Sequence, residues 1–199
     1  RRVLFRSGVS AKMLAKHEDC KTFHVVFMDL TEEMKAETKM KNTMMELKYR
    51  VERDTLTGLN NRDSFCTSVE KILQNDKENT YVIGMINIDR FKIVNELFGG
   101  KNGDMILKNI ASTLKKITKK HGTCARLEAD HFAICTTKEY LDENINDFER
   151  FLLGKASWNS LNYPIFLHAG FCIADDMDTP VDLLCDRASM AMQEVKGNY

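Results

Sequence analysis

An α+β fold is predicted, with a central antiparallel sheet flanked by helices, and two features of the sequence predict it. From residue 54 onward the apolar periodicity alternates between that of helices and that of strands,. Segment 81–88 is almost wholly apolar, as a strand covered on both faces has to be. The elements run helix, strand, helix, hairpin, helix, strand, helix. The βαββαβ part of that order is the ferredoxin-like split motif.

Ahead of this core stand two β-type runs, around 3–5 and 23–28. Thr31 is placed to cap the helix that follows, with Glu32 and Glu33 in its first turn,. Residues 34–53 hold no Gly or Pro and read as one charged linker helix. Met40, Met44, Leu47 and Val51 step along it by 4, 3 and 4, the spacing of a short coiled-coil seam,. The same stripe also suits a helix packed on its own domain.

Within the core, a helix at about 63–75 puts Phe65, Val69, Ile72 and Leu73 on one face. A second, at about 104–119, carries Met105, Leu107, Ile110, Ala111, Leu114 and Ile117. Short strands at 124–127 and 132–136 enclose an acidic turn, hence a hairpin,. A third helix at about 138–153 carries Leu141, Ile145, Phe148 and Leu152, and a strand follows at 164–174. The last helix begins after Pro180, and its buried face is Val181, Leu184, Ala188, Ala191 or Met192, and Val195,.

Composition narrows the function. Lys+Arg and Asp+Glu both number 29, so the net charge is zero. That removes the bulk electrostatic case for nucleic acid or an anionic membrane as partner. No apolar run reaches a bilayer span, and no leader pattern opens the chain. Six cysteines, at 20, 66, 124, 135, 172 and 185, form no Cys-x-x-Cys pair. Their scatter through apolar stretches reads as buried, reduced thiols and a cytoplasmic location.

Four motifs carry the chemistry. They are Asp54-x-Leu56-Thr57-x-Leu59-x-Asn61-Arg62, then Asn87-Ile88-Asp89-Arg90-Phe91-Lys92-Ile93-Val94-Asn95, then Gly103-Asp104, then the turn Glu128-Ala129-Asp130-His131-Phe132. In this order and spacing, over 54–199, they resemble the diguanylate cyclase family, named GGDEF after its catalytic hairpin. The end of the second β run, Asp29-Leu30-Thr31-Glu32, is similar to the end of a PAS sensor domain. The expected organisation is the C-terminal part of a PAS-like sensor at 1–33, a signalling helix at 34–53 and a GGDEF domain at 54–199.

The resemblance implies a palm like that of nucleotide cyclases, in which two GTP molecules, one per subunit of a face-to-face dimer, condense to cyclic di-GMP. Metal ions there help a 3′-hydroxyl attack an α-phosphate. It assigns Lys92 to the phosphates, Asn95 and Asp104 to the guanine base, and Lys196 to a further phosphate contact. An Asp carboxylate accepts from the N1 and N2 donors of guanine, and an Asn amide serves its acceptor edge. Asp104 also suits the cap of the helix it opens.

The hairpin departs from the family. Glu128 and Ala129 replace two glycines, which tolerate φ > 0 and let a phosphate approach the backbone. Asn87 replaces a metal-binding acid and His131 another, leaving Asp130 as the retained metal ligand. Mg²⁺ prefers anionic oxygens, so the expected Mg²⁺ site, Asp130 with Asn87, is weakened. Asp130 and His131 are the catalytic candidates. Lys119 and Gly122 stand where many members have the Arg-x-x-Asp product-inhibition site. The expectation is a degenerate GGDEF domain that binds GTP, or serves as a regulatory or dimerising module, with little or no cyclase activity. A phosphodiesterase domain of the EAL type is the expected downstream neighbour. The alternatives are an active cyclase with a variant metal site and a dimerisation scaffold that binds no nucleotide.

Overall fold

The computed structural model describes residues 7–17, 20–29, 31–119, 121–154, 163, 165–176 and 178–196, with side chains left undescribed at 7–17, 20–29, 31, 195 and 196. Two compact units result, Arg1–Val51 and Glu52–Tyr199.

In the first unit, β1 (Ser7–His17) and β2 (Cys20–Asp29) pair antiparallel, from Ser7 opposite Asp29 to His17 opposite Cys20. The second strand covers the β run expected at 23–28. The β run expected at 3–5 lies outside the described residues, and β1 follows it in the sequence. It is drawn from Ser-Gly-Val-Ser-Ala-Lys-Met-Leu-Ala-Lys-His, whose small and charged residues mask the β signal,. Helix α1 (Thr31–Glu52) follows. Its Met40, Met44, Leu47 and Val51 are all more than half exposed among the described residues.

The second unit is a four-stranded sheet with helices on both faces. Its elements are α2 (Arg62–Asn75), β3 (Tyr81–Ile88), α3 (Phe91–Phe98), α4 (Gly100–Thr118), β4 (Gly122–Glu128), β5 (His131–Thr137), α5 (Lys138–Glu143), α6 (Ile145–Leu152), β6 (Leu167–Ala174) and α7 (Val181–Lys196). The strand order is β4-β5-β3-β6, with every neighbouring pair antiparallel. This is the predicted α+β architecture.

Strand β3 is buried at all eight positions. Its alternating side chains feed two cores, as the two-residue period of a strand requires. Val82, Ile86 and Ile88 pack with Ile106, Ile110 and Leu114 of α4 and Phe148 and Phe151 of α6. Tyr81, Ile83 and Met85 pack with Phe65 and Val69 of α2 and Leu184 and Ala188 of α7.

Several boundaries differ from expectation. A short helix, α3, fills 91–98, where none was predicted; Arg90 enters it at φ 50 and Gly99 leaves it at φ 80. Helix α4 then begins at Gly100 rather than 104, so Asp104 lies inside the helix and is not its cap. Met105 is 36% exposed rather than buried, and Ile106 takes the core position. The expected helix over 138–153 is broken at Asn144, whose side-chain amide donates to the Tyr140 carbonyl at 2.8 Å. The register change after this break buries Phe151 and leaves Ile145 40% exposed. On α7 the buried face runs through Val181, Leu184, Cys185, Ala188 and Met192.

Strand β6 lies against α7 so closely that a Cβ on Gly170 would come within 2.2 Å of the Ala188 carbonyl oxygen and the Met192 nitrogen. Backbone cannot yield as a side chain does. Gly170→Ala is therefore expected to lower stability by about 1–3 kcal/mol, read as a fall in urea midpoint. An unchanged midpoint would contradict the close packing of β6 on α7.

Candidate functional site

The sheet register gathers the site. Asn87, the penultimate residue of β3, lies directly across from His131 of β5 on one side and His168 of β6 on the other. Cross-strand partners point to the same face, so the three form a row, His131–Asn87–His168. Asn87 is 3% exposed. A buried amide has to find partners, and its Nδ2 donates to Asp130 Oδ2 at 2.8 Å. The same nitrogen lies 3.3 Å from His131 Nε2. His131 Nδ1 sits 3.5 Å from Asp130 Oδ1, but out of line for a hydrogen bond.

Beyond Ile88 the chain leaves the sheet. The Asp89 backbone N–H donates to the Phe166 carbonyl at 2.9 Å. Its carboxylate lies 3.4 Å from His168 Nε2 and 3.8 Å from Arg90 Nε. Asp89 therefore pairs with His168, on the side of Asn87 away from Asp130. His168 was not singled out from the sequence; only the β3–β6 register reveals it.

The hairpin turn is held by Arg126, also missed. Its Nε and Nη2 both donate to the Ala129 carbonyl, at 2.8 and 2.6 Å. Its Nη1 reaches both Asp54 carboxylate oxygens at 3.2 Å. Ala129 keeps the positive φ, 39°, that a glycine would take at no steric cost,. The two hydrogen bonds from Arg126 hold that strained peptide in place. Glu128 is exposed. Asp54 thus ties the loop before α2 to the hairpin, while its Oδ1 also accepts from the Thr57 N–H and hydroxyl at 2.8 and 2.6 Å. Leu59 is buried below this loop, and Asn61 caps α2 by accepting from Ser64 N–H at 3.0 Å.

The remaining candidates lie on the helices after β3. Asn95 of α3 nestles against Gly103 of α4, where a Cβ would meet Asn95 Oδ1 at 1.9 Å. Gly103 is thus the residue that lets α4 pass this amide. Asp104, the next residue, is exposed. The Lys92 side chain is 90% exposed, with Glu96 at 4.0 Å, a separation that contributes little in water. Lys196 lies in α7, but its side chain is outside the described residues.

Mg²⁺ takes one or two carboxylates alongside substrate phosphates and waters in near-octahedral array, and this rim offers a single carboxylate, Asp130, already bonded to an amide N–H. Asn87 turns an N–H, not an oxygen, toward the Asp130 carboxylate. Asp89 faces His168 instead of this pair. Among the described residues no group of three or more His, Cys, Asp or Glu is arranged to hold a metal ion. No described helix is long and apolar enough to cross a membrane.

The family model described as "Diguanylate cyclase, GGDEF domain" matches residues 51–198. The signaling protein YkoW of Bacillus subtilis is 28% identical over 135 residues, 67% of this chain and 16% of its own. The probable diguanylate cyclase DgcE of Escherichia coli is 32% identical over 99 residues, 49% of this chain and 9% of its own. The chain thus spans a small part of these curated relatives. Among solved structures, the coiled coil and GGDEF domain of DgcB from Caulobacter crescentus, in complex with c-di-GMP, superposes with a TM-score of 0.72 at 19% identity, covering 84% of this chain and 92% of that one.

The Arg126 clamp gives a pH-dependent test. Burial pushes the Asp54 carboxyl up, but the hydrogen bonds from Thr57 and Arg126 outweigh it and hold the group below its ordinary value,. A depressed folded pKa gives stability that is present above the unfolded pKa and lost as pH falls through the folded one. The Asp54 contribution is therefore complete above about pH 4 and lost below it. Arg126→Ala is expected to cost about 2–3 kcal/mol at neutral pH and to flatten this acid loss. Urea unfolding at neutral and acid pH measures both; equal stability of the two proteins would remove the clamp.

Proposed function

This chain belongs to the GGDEF diguanylate cyclase domain family, and on that footing we propose that it is a degenerate member: a GTP-binding regulatory domain of cyclic di-GMP signalling with little or no cyclase activity. The observation that carries the proposal is the Asn87–Asp130 hydrogen bond. It occupies the place where catalysis needs two acids and a cation. Removing one charge-stabilising group commonly costs about 10²–10³ in rate, and here both Asn87 and His131 stand in for acids. The base-reading side is retained, because Asn95 and Asp104 survive on adjoining helices with Gly103 giving Asn95 its room. Lys92 and Lys196 serve the phosphates.

The proposed organisation has a PAS-like sensor end at 1–33, a signalling helix at 34–53 and the GGDEF domain at 54–199. The exposed seam of Met40, Met44, Leu47 and Val51 supports pairing with a second copy through α1,. Bound GTP would then bias a neighbouring domain, such as a phosphodiesterase of the EAL type, by population shift.

Purified protein incubated with GTP and Mg²⁺ or Mn²⁺ is expected to yield no cyclic di-GMP at ordinary enzymatic rates; such rates would overturn the proposal. Calorimetric titration should show GTP binding that weakens by about tenfold or more in Asp104→Ala, since a hydrogen bond to a charged group is lost. An Asp104→Ala protein that binds GTP as tightly as the parent would remove Asp104 from the base site.

A further inference from the structure

We propose that this domain takes its nucleotide without a divalent metal ion, because the Asn87 amide does in place what a cation would do between two carboxylates. The inference rests on the GTP-binding reading above and deepens it.

A carboxylate at the end of β3, facing Asp130, would set two like charges against each other, and a cation between them would relieve the repulsion. Here the 3%-exposed Asn87 removes one of those charges. Its amide N–H then satisfies Asp130 Oδ2 directly at 2.8 Å. The same nitrogen approaches His131 Nε2 at 3.3 Å, on the neighbouring strand. For a metal to bind here, the amide would have to reverse, presenting oxygen to the ion. Reversal would break the bond to Asp130 and set the amide oxygen against the carboxylate. Asp89 is turned to the other side of Asn87, where its carboxylate lies 3.4 Å from His168 Nε2.

The polyphosphate charge then has to be met by protein cations. Arg90 and Lys92 stand at the start of α3, and their side chains are 75% and 90% exposed. Their acidic neighbours lie at 3.8 and 4.0 Å. Exposed pairs at such separations hold weakly, so both side chains are able to turn to a polyphosphate. Direct contact of this kind needs no bridging ion.

The test is GTP titration of the intact chain by calorimetry, once in excess Mg²⁺ and once in excess EDTA. The expected dissociation constants agree within about threefold, a small difference on the scale of binding affinities. Binding that requires Mg²⁺ would overturn this inference and leave GTP binding itself intact. Binding in neither condition would overturn both. A second measurement does not involve nucleotide: Mn²⁺ titration followed by electron paramagnetic resonance. Asn87→Asp is expected to bind Mn²⁺ at least about tenfold more tightly than the parent, as restoring a ligand should. A Mn²⁺ site already present in the parent and lost in Asp130→Asn would overturn the inference, whether or not Asn87→Asp folds.

Discussion

The complete burial of strand β3 is the constraint on which the site depends. A strand covered on both faces cannot slip, because a one-residue shift would send every core side chain to the wrong helix layer. Val82, Ile86 and Ile88 are committed to one core, and Tyr81, Ile83 and Met85 to the other. Asn87 follows the second set by alternation and arrives at the sheet's end with its orientation already decided. The register against β5 and β6 then puts His131 and His168 beside it. The core thereby fixes the chemistry at the rim to within a side-chain rotation.

At this rim an amide stands between two carboxylates and two imidazoles. An amide bridges toward a carboxylate and an imidazole on one side, while a second imidazole meets Asp89 on the other. The hairpin carrying Asp130 is braced independently by Arg126, which joins the Ala129 carbonyl to Asp54. The loss of the turn glycines therefore has not opened the hairpin. It has left a positive φ at Ala129 and a side chain that pins it. Catalysis on a polyphosphate depends on concentrated, prearranged charge. Recognition of a base depends on matched donors and acceptors. Under the proposed function, the positions at which this chain departs from the family motif fall on the former.

Much of the fold was legible because it rests on periodicity over long segments. The apolar run of β3, the Phe65–Val69–Leu73 stripe of α2 and the two strands of the hairpin all read correctly. The errors arose where local chemistry sets boundaries. Helix α3 is only eight residues long and lies between Arg90 and Gly99, both at positive φ; its span is shorter than the window over which an apolar period is read. Asn144 interrupts an otherwise continuous helical pattern through its own side chain. At the site, the substitutions at Asn87, Glu128, Ala129 and His131 were visible as changed letters in a motif. Their consequence was not, since the Asn87–Asp130 bond joins residues 43 positions apart. His168 and Arg126 were invisible for the same reason. Each acquires its place from strand pairing, and nothing in its sequence neighbourhood distinguishes it.

The most direct measurement is a crystal structure of the protein grown with Mn²⁺ and a non-hydrolysable GTP analogue, with anomalous data collected to locate manganese. The expected result is the guanine base against Asn95 and Asp104, the Asn87–Asp130 contact unchanged, and no anomalous peak between those two residues. A manganese ion bridging Asn87, Asp130 and the triphosphate would contradict binding without chemistry, and would return this domain to the working cyclases.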